Sequence, residues 1–209
     1  MAVSVPSIKD VVDLADQIGI IKSFKSKLVS QPDPALDQLT TVLDEISKIF
    51  NAMNIEITKY LSLWFDASDQ ESVQKERSLL LSMEEGQMKL EMLETRGHCA
   101  KITNIYDKYL NPWLKRILSS DEQELVGRVF RELRGYDSKM VDAIEKLAKW
   151  LIDNAAETLD LVDSGQYQEA NEFIKNKRKE IQPMRILISE RIQDLYRLQA
   201  EFISVSGAL

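Results

Sequence analysis

The chain has 209 residues, 44% hydrophobic and 29% charged, with a net charge of −7 and a pI near 5.0. That mix belongs to a folding globular chain rather than a disordered one, and the acidic balance repels nucleic-acid phosphates and anionic membranes at long range. Seven glycines and five prolines are too few for the closely spaced turns of an all-β fold, no run of about 18 uncharged apolar residues is present to span a bilayer, and one cysteine cannot form an internal disulfide.

The N-terminal stretch MAVSVPSIKDVVDLADQ carries Asp10, Asp13 and Asp16 through its apolar part and no basic leader, so it does not read as a signal peptide. Together with the lone cysteine this leads us to expect a cytoplasmic protein. Ser7 is a good N-cap for a first helix that runs to about Val29, before the breaker Gln31-Pro32-Asp33-Pro34. Ile8, Val11, Val12, Ala15, Ile18, Phe24 and Leu28 mark one stripe of it.

The second helix has the clearest signal. Asp33 is placed as its N-cap and Pro34 as its first residue, where a missing N–H costs nothing. Leu36, Leu39, Leu43, Ile46, Phe50, Met53, Ile57, Tyr60 and Trp64 then alternate steps of 3 and 4. This is a heptad seam, which requires a helical partner along about 40 Å at about 1.5 Å per residue. Val42 and Ile49 widen the stripe, as in a multi-helix bundle.

Ser68 and Glu71 read as a capping box for a third helix with its seam at Leu79, Met83, Leu90 and Leu93 and with Gly86 on the same face. Past Gly97 the apolar phase moves to Ile102, Ile105, Tyr106, Tyr109, Trp113 and Ile117, which predicts a kink, a change of partner or a break near residue 97; Asn111-Pro112 predicts a second interruption. Ser119 with Glu122, or Ser120 with Gln123, caps a fourth helix striped by Val126, Val129, Leu133, Tyr136, Met140, Ala143, Leu147 and Trp150 and widened by Val141 and Ile144. It is expected to continue to Val162 and stop at Ser164-Gly165. A last helix from about Gln166 to Ser204, kinked at Pro183, buries Ile181, Met184, Ile188, Ile192, Leu195, Leu198, Phe202 and Val205. No segment alternates as a strand does. The expected fold class is all-α: an elongated bundle of about five long helices with a four-helix-bundle-like core and left-handed heptad packing, residues 1–209 forming one domain.

Chemistry-bearing motifs are sparse. The run RGHCA, Arg96 to Ala100, holds the only histidine and the only cysteine. Neighbours on a helix point about 100° apart, so His98 and Cys99 make a poor nucleophile–base pair. Glu91, Glu94 and His98 share a helical face, but a ferritin-like two-metal centre needs two histidines and a zinc site three nitrogen or sulfur ligands. No Walker loop, dinucleotide fingerprint or nucleophile elbow occurs. We therefore expect no catalytic residue, no metal and no cofactor. The run GQYQEA, Gly165 to Ala170, is similar to a six-residue piece of the tetratricopeptide repeat, but no second copy lies about 34 residues away, as stacked repeats require.

Tyr106, Tyr109 and Trp113 interleave with Lys101, Lys108, Lys115 and Arg116, a pattern that fits buried rings with outward lysines and also fits interface anchors. KNKRK, Lys175 to Lys179, is the one dense basic run, and its flanking Glu169, Glu172 and Glu180 suggest a surface laced with ion pairs. The surplus of apolar stripe points to a non-enzymatic bundle that binds another protein, self-association as a homodimer being one form, with no nucleic acid bound. Tyr106, Tyr109, Trp113, Val42 and Ile49 are the interface candidates. Two alternatives remain open: a bundle whose N-terminal amphipathic helix lies on a membrane, using Ile8, Val11, Ile20 and Ile21 with Lys22, Lys25 and Lys27, and an enzyme or small-ligand sensor with a pocket between helices near Gly97.

Overall fold

A computed structural model describes residues 19–30, 33–134 and 139–206. The expected helix start at Ser7, Tyr136 of the fourth stripe and Val205 of the last lie outside the residues or side chains described. Among the described residues the chain is all-α: α1 (Lys25–Val29), α2 (Ala35–Ser62), α3 (Gln70–Glu84), α4 (Gln87–Ile105), a π-helical turn (Tyr106–Leu110), α5 (Asn111–Ile117), α6 (Ser120–Leu133), α7 (Lys139–Asp163) and α8 (Tyr167–Ser206).

These elements form four rods. α2 begins where the Asp33 carboxylate accepts the Ala35 N–H at 2.9 Å, and all eight of its seam positions from Leu36 to Tyr60 are at most 2% exposed. α8 runs antiparallel to it: Arg178 donates to the Leu61 carbonyl at one end and Gln199 to the Thr40 carbonyl at the other, 21 residues apart on both helices. α3, α4 and α5 make a second rod antiparallel to α2, since Glu45 meets His98 and Asp33 meets Arg116. The same rod is antiparallel to α7, where Arg77 pairs with Asp163 and Arg96 with Glu145. The rods thus run up, down, up and down, each packed on its neighbours in sequence and α8 closing on α2. Buried apolar side chains from Ile21 to Phe202 form one cluster along the bundle.

Where the structure departs from the heptad reading, a local backbone event is responsible. α2 ends at Ser62 and the chain turns extended at Leu63 (ψ 137°), so successive side chains alternate: Leu63 and Phe65 are buried and Trp64, expected in the seam, is 63% exposed. Asp66 takes both the N–H and the hydroxyl of Ser68, leaving Asp69 rather than Ser68 to cap α3 by accepting from Ser72 N–H at 3.0 Å. Of the alternatives expected near Gly97, the break is not found there: Gly97 sits inside α4 with open space around it, and the helix is interrupted at Gly86, whose φ of 108° is open to glycine alone at low cost. Val73, Leu80 and Met83 are the buried residues of α3, and Leu79 is half-buried.

Before Pro112 the Asn111 N–H reaches back to the Tyr106 carbonyl, five residues away. The extra residue in this turn relieves the clash that proline makes with the preceding turn, so the rod continues where an interruption was expected. It also rotates the following face by one residue. Leu110 is buried in place of Tyr109, which is 41% exposed, and Trp113, Leu114 and Leu118 follow inside while Ile117 is only half-buried.

The Glu122 carboxylate accepts from both the N–H and the hydroxyl of Ser119 at 2.9 Å, the expected capping box. The expected single fourth helix is two, α6 and α7, because Arg134 adopts an extended conformation (φ −111°, ψ 151°). α7 stops as expected: Gln166 N–H donates to the Leu161 carbonyl and Gly165 N–H to that of Val162, both at 2.9 Å, with Gly165 at φ 74°. Gly165→Ala is expected to cost about 1–2 kcal/mol in urea unfolding although a methyl there meets nothing within 4 Å, because the penalty lies in the backbone. α8 passes through Pro183, which lies on its exposed side. No described helix is long and apolar enough to cross a membrane.

Candidate functional site

Four of the five interface candidates are taken up by the core. Val42 and Ile49 are 0% exposed, packed within α2's own bundle contacts rather than on a free flank. Trp113 is 1% exposed, and Tyr106 is buried by stacking on Phe130 at 4.4 Å with the Arg134 guanidinium 4.6 Å over its ring. Only Tyr109 reaches the surface, with Lys108 Nζ 5.0 Å from its ring.

His98 and Cys99 part company. Cys99 is buried, whereas His98 Nδ1 lies 2.5 Å from the Glu45 carboxylate. Lys101 at 2.6 Å and Lys48 at 3.0 Å complete the set around Glu45, whose side chain is 2% exposed. Burial alone raises the pKa of this carboxyl; the hydrogen bonds from Lys101, His98 and Lys48 outweigh it and hold the group at about 2. A carboxylate so fully occupied is an ion-pair hub joining α2 to α4 rather than a proton carrier. Glu94, which shares a helical face with His98, is exposed, and no group of three metal-ligating side chains occurs among the described residues. The Tyr60 hydroxyl meets Thr158 at 3.2 Å, and burial pushes it well above the usual phenol range.

The surface feature with most character lies between α2 and α8. Two clefts follow each other along the α2 side of α8. The upper, of about 500 Å³, is bounded by Trp64, Phe65 and Asp66 on one wall and by Tyr167, Asn171 and Lys175 on the other. Asn171 fixes that wall by a two-bond clasp on the Phe65 backbone, at 2.9 and 2.8 Å. The lower cleft, of about 460 Å³, runs between Thr58 and Ser62 of α2 and Arg178, Lys179, Gln182 and Arg185 of α8. From Gln168 to Arg185 the two extend about 25 Å at about 1.5 Å per residue. Ile55, three residues before Thr58, Ile186, four after Gln182, and Tyr196 are 52%, 50% and 49% exposed, Tyr196 being held by Asn51 at 2.8 Å.

The ion pairing expected around KNKRK is met at one position among the described residues, Lys177 with Glu180 at 3.3 Å. Arg178 donates to the Leu61 carbonyl at the end of α2, and Lys175 and Lys179 have no carboxylate partner among the described residues. Trp64 and the groove itself escaped the sequence reading because the first depends on the helix ending two residues early and the second on bringing Thr58 against Gln182.

Comparison with protein-family models, with curated proteins and with solved structures gave no match.

Proposed function

We propose that this chain is a non-enzymatic helical bundle that works by holding another protein along the α2–α8 groove, a second copy of the chain being one such partner. The observation that carries this reading is Trp64: a large aromatic left 63% exposed beside a cleft in which Asn171 clasps the Phe65 backbone. Aromatic and arginine side chains are the commonest binding anchors, and a fixed wall lowers the ordering cost of association. The groups with reactive chemistry, Glu45, His98, Cys99 and Tyr60, are engaged in ion pairs and packing, which also favours binding over catalysis.

A photo-reactive amino acid placed at Trp64 or at Ile186 in cells tests this. An adduct with a protein, whether another copy or a different chain, is expected at both positions and not at Lys149, a 70% exposed position on α7. No adduct at either groove position would remove the reading.

A further inference from the structure

Resting on that reading, we infer that the occupant of the α2–α8 groove is an acidic amphipathic segment of a partner protein, its carboxylates received by Lys179 and Arg185 in the lower cleft. Acids outnumber bases by 34 to 27 in the chain, and many of the described cations pair with the chain's own carboxylates, among them Lys25 with Glu201, Lys27 with Glu122, Arg77 with Asp163, Arg116 with Asp33, Lys139 with Glu132 and Lys149 with Asp153. Lys175, Lys179 and Arg185 have no carboxylate partner among the described residues, as holds also for scattered cations such as Lys75, Lys115 and Arg128. The groove differs in gathering them: Arg178, satisfied by a backbone carbonyl, Lys179 and Arg185 line one cleft whose described lining holds no acidic residue. Cations left uncompensated in an acid-rich chain, and set in a cleft with Thr58, Ser62 and Gln182 as further hydrogen-bonding groups, form a receptor for carboxylates.

The apolar groups define the rest of the ligand. Trp64 above and Ile55 and Ile186 below the cations require apolar side chains on the same segment. A groove of about 25 Å accepts a helix of about five turns that presents glutamates and leucines on one face. Nucleic acid and lipid fit less well. Asp66 and Glu172 border the upper cleft, and a net charge of −7 opposes a long phosphate backbone or an anionic bilayer, whereas a short segment places its few carboxylates only where cations await them.

The test uses the full chain and a fluorescein-labelled helical peptide with glutamate and leucine at i, i+4 spacing on one face, followed by fluorescence anisotropy. Its companion carries glutamine for every glutamate. Lys179→Glu with Arg185→Glu is the informative variant, because neither side chain supports the fold through an ion pair; circular dichroism matching that of the parent confirms this. The acidic peptide is expected to bind the parent chain, to lose about tenfold or more in affinity against the double variant, and to weaken with added salt. Lys149→Glu on α7 is expected to leave its binding unchanged. No binding of the acidic peptide, equal binding by the double variant, equal binding of the glutamine peptide, or stronger binding to phosphatidylserine vesicles or to a single-stranded oligonucleotide would each overturn the inference. If adducts still form at Trp64 and Ile186 in cells while the acidic peptide fails, the groove binds protein but not by charge; if both fail, the wider reading fails with it.

Discussion

Trp150→Ala is expected to lower the unfolding free energy by about 3–5 kcal/mol. Trp150 lies in α7 at 0% exposure, meeting the Tyr60 ring edge-on at 5.9 Å and 81°. Its removal takes a large apolar side chain from the junction of α2 and α7 and opens a cavity that Tyr60, tied to Thr158, is poorly placed to fill. The indole N–H has no acceptor among the described residues, so Trp150→Phe discards a buried donor along with part of the ring and is expected to cost less than about 1.5 kcal/mol. Trp64→Ala supplies the contrast. Both tryptophans stand at heptad positions in the sequence, yet the exposed one is expected to change stability by less than about 0.5 kcal/mol. Urea midpoints at constant m-value measure all three, and a Trp64→Ala loss as large as that of Trp150→Ala would refute the extended turn after Ser62.

The second large effect belongs to Glu45. Its carboxyl is held at about 2 against an ordinary 4.5, a difference worth about 3 kcal/mol of preference for the ionised form in the folded chain. Because the folded value lies below the unfolded one, this stabilisation is complete above the unfolded value of 4.5 and is lost as pH falls toward 2. Glu45→Gln keeps the shape and removes the charge. Lys101 and Lys48 are about half exposed and can turn to water, so the expected loss near pH 7 is about 2 kcal/mol rather than the whole. The gap between parent and variant in urea midpoint is expected to narrow between about pH 5 and about pH 3. A gap that stays constant through that range would mean that Glu45 contributes by packing and not by charge.

How far the sequence announces this structure depends on whether the backbone stays regular. From Leu36 to Tyr60 it does, and every seam residue is buried, because helical spacing converts directly into a face. The same holds from Ile181 to Phe202 in α8. At Trp64 and Tyr109 the spacing is equally good and the outcome opposite, since an extended residue in one case and a five-residue turn in the other reset the phase. Spacing cannot report such resets. The candidate site was legible only in part. The basic run can be read from Lys175 to Lys179, but that Lys177 alone in it finds a carboxylate among the described residues is set by rotamers and by a wall built from residues about 120 positions earlier.

The turn at Tyr106–Leu110 has a consequence for the whole second rod. Above it, α4 faces α2 and α7; below it, α5 faces α6 and Leu110, Trp113 and Leu114 close over Ile21 and Leu28 of the N-terminal segment. One surplus residue works like the dislocation in a screw thread, letting a single shaft mesh with two differently pitched partners without being cut. The bundle thereby changes its cross-section from one end to the other at no cost in loop length.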